Sequence, residues 1–295
     1  MSALLRFHLW PLRVLWVVLA LAASASATDA LDGRSTPVAA ALEVAGWAAW
    51  GATLVALLVP RTPSLTVVRI LAPAYAVGAI AAVAGGSEPT VLDGVTVLAA
   101  ALVVVVALAP WTTDALVDGS SYGPERRLAL RTPLALVLLA VLTWIVMLAG
   151  AVGAVLLLAT ERWAAGLGGL VVGAAVVWFG GRSIHQLSRR WLVLVPTGLV
   201  IHDPIVMPEP QLFLRQTMAR LGPAEGAVGD DVVTEDLSAA ASGLIMSITL
   251  SEPVELLVRD GNRGTALRPV DRVLFAPALP LVLLAEGRRR RLPVA

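Results

Sequence analysis

The chain has 295 residues, of which 58% are hydrophobic and only 15% are charged. Soluble domains usually carry about 25% charged residues, so this composition excludes an ordinary soluble protein and indicates that much of the chain lies in lipid. Cysteine is absent and the formal net charge is +1. The lack of cysteine excludes disulfides and thiolate chemistry, and the near-neutral charge gives no basis for nucleic-acid binding.

Six apolar stretches are long enough, or nearly long enough, to cross a bilayer as a helix, which takes roughly 20 residues. Proline lies at many of their predicted ends, where its missing N–H donor suits a helix boundary. These stretches predict an α-helical transmembrane bundle in a domain of residues 1–181. The predicted spans are residues 9–27, 38–59, 65–85, 91–109, 134–159 and 163–181.

The first stretch also has an interpretation as a signal peptide. Arg6 and Arg13 precede an apolar core, and the Ala-Ser-Ala sequences at 23–25 and 25–27 resemble cleavage sites. Cleavage near Ala27 would leave five spans, whereas an uncleaved helix gives six. Both interpretations stay open at the level of sequence.

The distribution of arginine orients the predicted spans, because positive residues mark the cytoplasmic side of a membrane protein. The arginines on one side of the predicted bundle are Arg6, Arg13, Arg61, Arg126, Arg127, Arg131, Arg182, Arg189 and Arg190. The alternate connections hold only Arg34 and Arg162, together with acidic residues. This alternation predicts a multi-pass protein of the plasma (inner) membrane with both termini in the cytoplasm.

Residues 182–295 have a different composition from the rest of the chain. They hold 13 arginines and 12 acidic residues, whereas residues 1–181 hold nine of each. Short β-rich runs and turn signals indicate strands and a final amphipathic helix. Strands are predicted at 191–195, 199–203, 244–250 and 254–259, and a closing helix at 277–291. The sequence therefore predicts a small β-rich C-terminal domain in the cytosol.

The first two of these strands flank Pro196-Thr197-Gly198, a sequence that predicts a hairpin with a type I turn and a bulge. The second pair is followed by the turn signal Asp260-Gly261-Asn262. Between the pairs, residues 222–243 are rich in glycine, alanine and acidic residues. We predict a mobile loop there.

Strands closed by a C-terminal helix directly behind a membrane helix resemble a bacterial pleckstrin-homology-like domain. The whole chain is similar to uncharacterised multi-span membrane proteins of high-GC Gram-positive bacteria. The residues that carry this similarity are the segments 118–123, 125–127, 189–191, 195–198 and 202–204. The resemblance implies an interaction module and brings no known activity. Lipid-binding pleckstrin domains have a basic first hairpin loop, whereas Pro196-Thr197-Gly198 offers no cation to a phosphate.

Ionisable residues within membrane spans are costly and often functional, which singles out Glu43 and Arg69. Their predicted levels in the bilayer differ by roughly 20 Å at 1.5 Å per residue, so a direct pair is not expected. Arg69 is predicted to reach the cytoplasmic headgroups. Glu43 either reaches the outer interface or carries a proton or cation together with Asp93.

The longest predicted cytoplasmic loop, residues 110–133, combines a Gly-Ser-Ser-Tyr-Gly turn with an acid–arginine cluster. This loop could dock the C-terminal domain, form a plain turn or bind a ligand. Its candidate residues are Asp118, Tyr122, Glu125, Arg126 and Arg127.

Four consecutive arginines end the predicted closing helix: Arg288, Arg289, Arg290 and Arg291. Near an anionic leaflet each arginine contributes about 1 kcal/mol, so this cluster could hold the domain against the inner membrane surface. The other interpretation is a solvated helix end, neutralised by the acidic loop at 222–243.

No catalytic, cofactor or metal motif is found in the sequence, which predicts a non-enzymatic scaffold or regulatory subunit acting through the cytosolic domain. The predicted partners are the lipid bilayer with its anionic lipids and an unidentified membrane protein. A homo-oligomer is compatible with the Gly169/Gly173 GxxxG pattern. The alternative is a small transporter or channel that uses polar groups such as Glu43. A membrane transferase, resting only on scattered outer carboxylates, comes third.

Overall fold

The computed structural model describes residues 8–86, 88–225, 232–260 and 264–295. Arg6, Asp230, Asp231, Gly261 and Asn262 lie outside these residues. The described part contains six helices long and apolar enough to cross a membrane, one for each predicted span. They are α1 (Trp10–Leu31), α2 (Thr36–Leu58), α3 (Thr62–Gly85), α4 (Val91–Leu108), α6 (Leu134–Ala159) and α7 (Trp163–Ser188). A short helix, α5 (Pro110–Asp118), follows α4.

Helix α1 is packed tightly against α2 and α3. The Trp16 side chain is fully buried, and its indole N–H donates to the Trp50 carbonyl at 3.1 Å. Trp50 returns an indole hydrogen bond to the Trp16 carbonyl at 3.3 Å, and the Tyr75 ring lies 5.0 Å from that of Trp16. Buried indole N–H groups need an acceptor, so these bonds fix the alignment of the helices. Cleavage near Ala27 would remove these contacts.

Glycine permits close packing of α6 and α7. A Cβ atom at Gly173 would lie 3.1 Å from the Gly150 carbonyl oxygen, and one at Gly169 would lie 3.7 Å from the Ala154 Cα. The Gly169/Gly173 pattern therefore faces a helix of the same chain. Trp144 on α6 donates to the Ile70 carbonyl at 2.9 Å, which joins α6 to α3.

The C-terminal region forms two four-stranded sheets closed by a helix. The first sheet has the order β1-β2-β3-β4, and the second has the order β5-β7-β8-β6, in which β6 is parallel to β8. The strands are β1 (Arg126–Ala129), β2 (Trp191–Val195), β3 (Gly198–His202), β4 (Gln211–Leu214), β5 (Met218–Pro223), β6 (Thr234–Asp236), β7 (Met246–Arg259) and β8 (Thr265–Phe275). Helix α8 (Pro280–Arg289) buries Leu283, Leu284 and Gly287. The prediction of a β-rich region with a closing helix is confirmed.

The turn between β2 and β3 differs from the predicted one. Val195 pairs directly with Gly198, so the turn is the two residues Pro196 and Thr197 and the predicted bulge is wrong. A Cβ atom at Gly198 would overlap the carbonyl oxygen of Phe213. Glycine is required here because β4 approaches the backbone closely.

Two further predictions change in detail. The strands predicted at 244–250 and 254–259 are parts of one long strand, β7, with a register irregularity between Thr249 and Val254. The predicted boundary between residues 181 and 182 lies inside α7, which continues to Ser188. Residues 117–138 also belong to the same compact unit as residues 186–295, because β1 pairs with β2.

Candidate functional site

Strand β1 comes from the loop between α5 and α6, yet it is an edge strand of the first C-terminal sheet. It runs antiparallel to β2, with Leu128 opposite Leu192 and Ala129 opposite Trp191. Leu128 is only 1% exposed and belongs to the hydrophobic core of the β region. Alternation along the strand buries Leu128 on the inner face and leaves Arg127 on the outer face. A loop predicted to dock or turn therefore supplies part of the core.

Asp118 organises the turn that leads into β1. Its side chain is 3% exposed and accepts from the Arg126 guanidinium at 2.8 Å. The other carboxylate oxygen accepts from the Arg127 backbone N–H at 2.9 Å and from the Ser121 hydroxyl at 2.8 Å. A buried carboxylate needs such partners, so Asp118 fixes the turn and the start of the strand together.

The remaining predicted loop residues lie at the edge of this network. The Glu125 carboxylate is 3.6 Å from the Arg127 guanidinium, and both side chains are partly exposed. The Tyr122 side chain is 85% exposed. The structure thus brings Asp118, Arg126 and Arg127 together and leaves the tyrosine side chain in solvent.

A buried ion pair, not identified from the sequence, joins the ends of the first hairpin. The guanidinium of Arg190 donates twice to the Asp203 carboxylate, at 2.6 and 2.9 Å. The two side chains are 1% and 0% exposed. Arg190 also donates to the Arg131 carbonyl at 3.0 Å. This arginine therefore joins β2, the end of β3 and the segment after β1.

One sequence signal points to this pair. Trp191 and His202 are cross-strand partners, so Arg190 and Asp203 occupy the next positions outward on the same hairpin. Opposite charges at facing positions of a hairpin favour a cross-strand pair. The arginine was instead grouped with the membrane-surface residues, because it directly follows an apolar helix.

Aromatic and cationic side chains meet on the outer face of the first sheet. The rings of Trp191 and His202 are 4.6 Å apart, and the Arg127 guanidinium lies 5.7 Å from the Trp191 ring. Burial and then the positive charge of Arg189 lower the pKa of His202, and Arg127 adds to this while Asp203 opposes it. The net field at this imidazole is therefore positive.

The four terminal arginines differ in their surroundings. Arg289 pairs with Glu286 at 2.9 Å, and Arg290 donates to the carbonyls of Pro124 at 2.8 Å and Leu194 at 3.2 Å. Arg288 and Arg291 are exposed. Arg290 thus helps hold α8 to the segment before β1.

The acidic loop has partners of its own among the described residues. Glu225 pairs with Arg220 at 2.6 Å, and this hydrogen bond lowers the pKa of Glu225 below its usual value. Glu235 pairs with Arg268 at 3.2 Å. These carboxylates are therefore engaged by arginines of the β strands.

The two predicted intramembrane residues lie in different surroundings. Glu43 is on an exposed face of α2, and Arg69 is half-buried on α3. Asp93, grouped with Glu43 in the proton or cation hypothesis, caps α4 through Thr90. It also accepts a hydrogen bond from the Ser26 hydroxyl at 2.6 Å. The Asp93 carboxylate therefore connects α1 to the start of α4.

Within the described ranges, no group of three or more histidine and acidic side chains is placed to hold a metal ion. The best-defined polar arrangement is the joint between β1 and the hairpin β2–β3. Searches of protein-family models, curated proteins and solved structures find no match to this chain.

Proposed function

We propose that this chain is a non-enzymatic integral protein of the plasma membrane that acts as a scaffold or regulatory subunit. Its acting part is the C-terminal domain, which we interpret as a pleckstrin-homology-like module in the cytosol. The two sheets and the closing helix support this interpretation. The observation that carries the proposal is the membership of β1 in the first sheet.

This strand gives the domain several covalent connections to the long apolar helices. Residues 119–125 connect α5 to β1, residues 130–133 connect β1 to α6, and residues 189–190 connect α7 to β2. Chain segments of this length reach at most about 3.6 Å per residue. A partner bound to the domain would therefore act on segments that lead into three helices, as a scaffold or regulator requires.

The membrane orientation can be tested with reporter fusions. Fusions ending at Arg61, Tyr122 and Ala295 are expected to report the cytoplasm, and a fusion ending at Arg34 the exterior, because arginines favour the inner side. Paired alkaline phosphatase and green fluorescent protein reporters measure both outcomes. An exterior signal at Ala295 would contradict the orientation.

The scaffold role predicts a protein partner that depends on the folded domain. Affinity purification from native membranes in mild detergent should recover a stoichiometric partner with the wild type. Arg190→Ala, which removes a buried ion pair, should lose that partner, whereas Arg215→Ala, an exposed arginine on the same domain, should keep it. Quantitative mass spectrometry of the eluates measures the ratio.

The Glu43→Gln variant separates this role from transport. It should keep the partner, because Glu43 lies on α2, outside the domain. Ion or proton flux through the reconstituted wild-type protein that disappears in Glu43→Gln would overturn the scaffold role in favour of a transporter or channel.

A further inference from the structure

One corner of the first sheet is tied close to the ends of two long apolar helices. Trp191 opens β2 directly after residues 189–190, which follow the end of α7 at Ser188. Three residue steps span at most about 11 Å. The cross-strand partners of Trp191 are Ala129 on β1 and His202 on β3, and only residues 130–133 separate β1 from α6. Chain connectivity therefore keeps this corner near the membrane.

The length of α7 brings the same corner to headgroup level. This helix has 26 residues, or about 39 Å at 1.5 Å per residue, whereas the hydrocarbon core of a bilayer is about 30 Å thick. A helix of this length extends into the headgroup region. Tryptophan is enriched at that level, because the indole has an apolar body and a polar N–H.

Two arginines beside Trp191 keep positive charge that the domain does not fully neutralise. The Nε atom of Arg127 is buried and has no hydrogen-bond partner within the described residues, and its ion pair with Glu125 is long and partly exposed. Across the same described ranges, the Arg189 side chain forms no ion pair. Their neighbours differ: Arg126 and Arg190 are each bound to a buried aspartate.

The histidine at this corner reports the resulting field. Next to burial, the positive charges of Arg189 and Arg127 lower the pKa of His202, although Asp203 opposes them. An electropositive, partly desolvated surface with an aromatic side chain is suited to a phosphate group.

We propose that Arg127 and Arg189, together with Trp191, form a contact site for the phosphate group of an anionic phospholipid. Guanidinium groups bind phosphate oxygens through paired N–H donors, and the indole occupies the interface beside them. This inference does not depend on the scaffold role. It also differs from the membrane contact predicted at the terminal arginines, two of which are engaged by Glu286, Pro124 and Leu194.

The test uses the full-length protein in mixed micelles of equimolar phosphatidylglycerol and phosphatidylcholine, with retained lipid counted by native mass spectrometry. The wild type should retain phosphatidylglycerol preferentially. Arg127→Gln/Arg189→Gln should lower that retention at least fivefold, because about 1 kcal/mol per arginine corresponds to a factor of about five. The matched control, Arg288→Gln/Arg289→Gln, removes the same charge and should stay within twofold of the wild type.

Further variants make each outcome decisive. Arg127→Lys/Arg189→Lys keeps the charge and should recover most of the retention, which separates charge loss from misfolding. Equal loss in both glutamine double variants, or no loss in the first, would overturn the proposal. Inorganic phosphate, added at constant ionic strength, should not displace phosphatidylglycerol from the wild type. Displacement would overturn the lipid assignment and identify a site for free phosphate.

Discussion

Leu128→Ala is expected to destabilise the C-terminal domain by about 2–5 kcal/mol, although Leu128 lies in a loop between two long apolar helices. The side chain is 1% exposed, and truncating a buried leucine removes apolar contacts and leaves a cavity. Pulse proteolysis of the full-length protein in urea and mild detergent measures the free energy of unfolding of this domain. The cost should appear as an earlier cleavage transition within residues 186–295.

Tyr122→Ala is the control for this experiment, because it lies in the same loop with its side chain 85% exposed. It should change the free energy of unfolding by less than about 0.5 kcal/mol. A fragment of residues 189–295 lacks β1 altogether and leaves β2 as an open edge. We expect that fragment to unfold at lower urea than the domain of the intact chain. Equal stability of Leu128→Ala and the wild type would contradict the place of β1 in the core.

Arg190→Ala is expected to cost about 3–5 kcal/mol, because it leaves the Asp203 carboxylate buried without its cation. The pair is at most 1% exposed, so water cannot replace the lost guanidinium. The variant also loses the hydrogen bond to the Arg131 carbonyl. The same urea proteolysis measures the effect.

Replacing both partners distinguishes the loss of a charge from the loss of the pair. Arg190→Met/Asp203→Leu should recover much of the stability, because two apolar side chains leave no buried charge. The exposed pair of Arg289 and Glu286 serves as the comparison, and Arg289→Ala should cost less than about 0.5 kcal/mol. A loss for Arg190→Ala no larger than that for Arg289→Ala would show that the buried pair does not stabilise the domain.

Several elements follow from local patterns and were predictable without the structure. Each of the six long helices is an uninterrupted apolar stretch, and its signal lies within its own residues. The β2–β3 hairpin is similarly local, because Pro196-Thr197 brings two adjacent β-rich runs together. Helix α8 carries its own apolar face through Leu283 and Leu284.

The candidate sites were less accessible to sequence reasoning. The loop cluster was identified, but its composition did not distinguish a docking segment from a ligand site or a strand. Arg127, Arg189 and Arg190 share one residue type and all follow apolar helices in the chain. Only the surrounding strands separate a buried ion pair at Arg190 from the incompletely neutralised charges at Arg127 and Arg189.

The limit between the two kinds of information is sequence separation. Hydropathy and turn signals predict elements whose contacts lie within a few residues, and these defined the long helices, the first hairpin and the closing helix. Pairing of β1 with β2 joins residues more than sixty positions apart, such as Leu128 and Leu192. That pairing depends on inner-face packing and on the Asp118 and Arg190 hydrogen bonds, none of which leaves a local periodicity. The tertiary structure alone therefore decided that a loop between long helices is a core strand of the C-terminal domain.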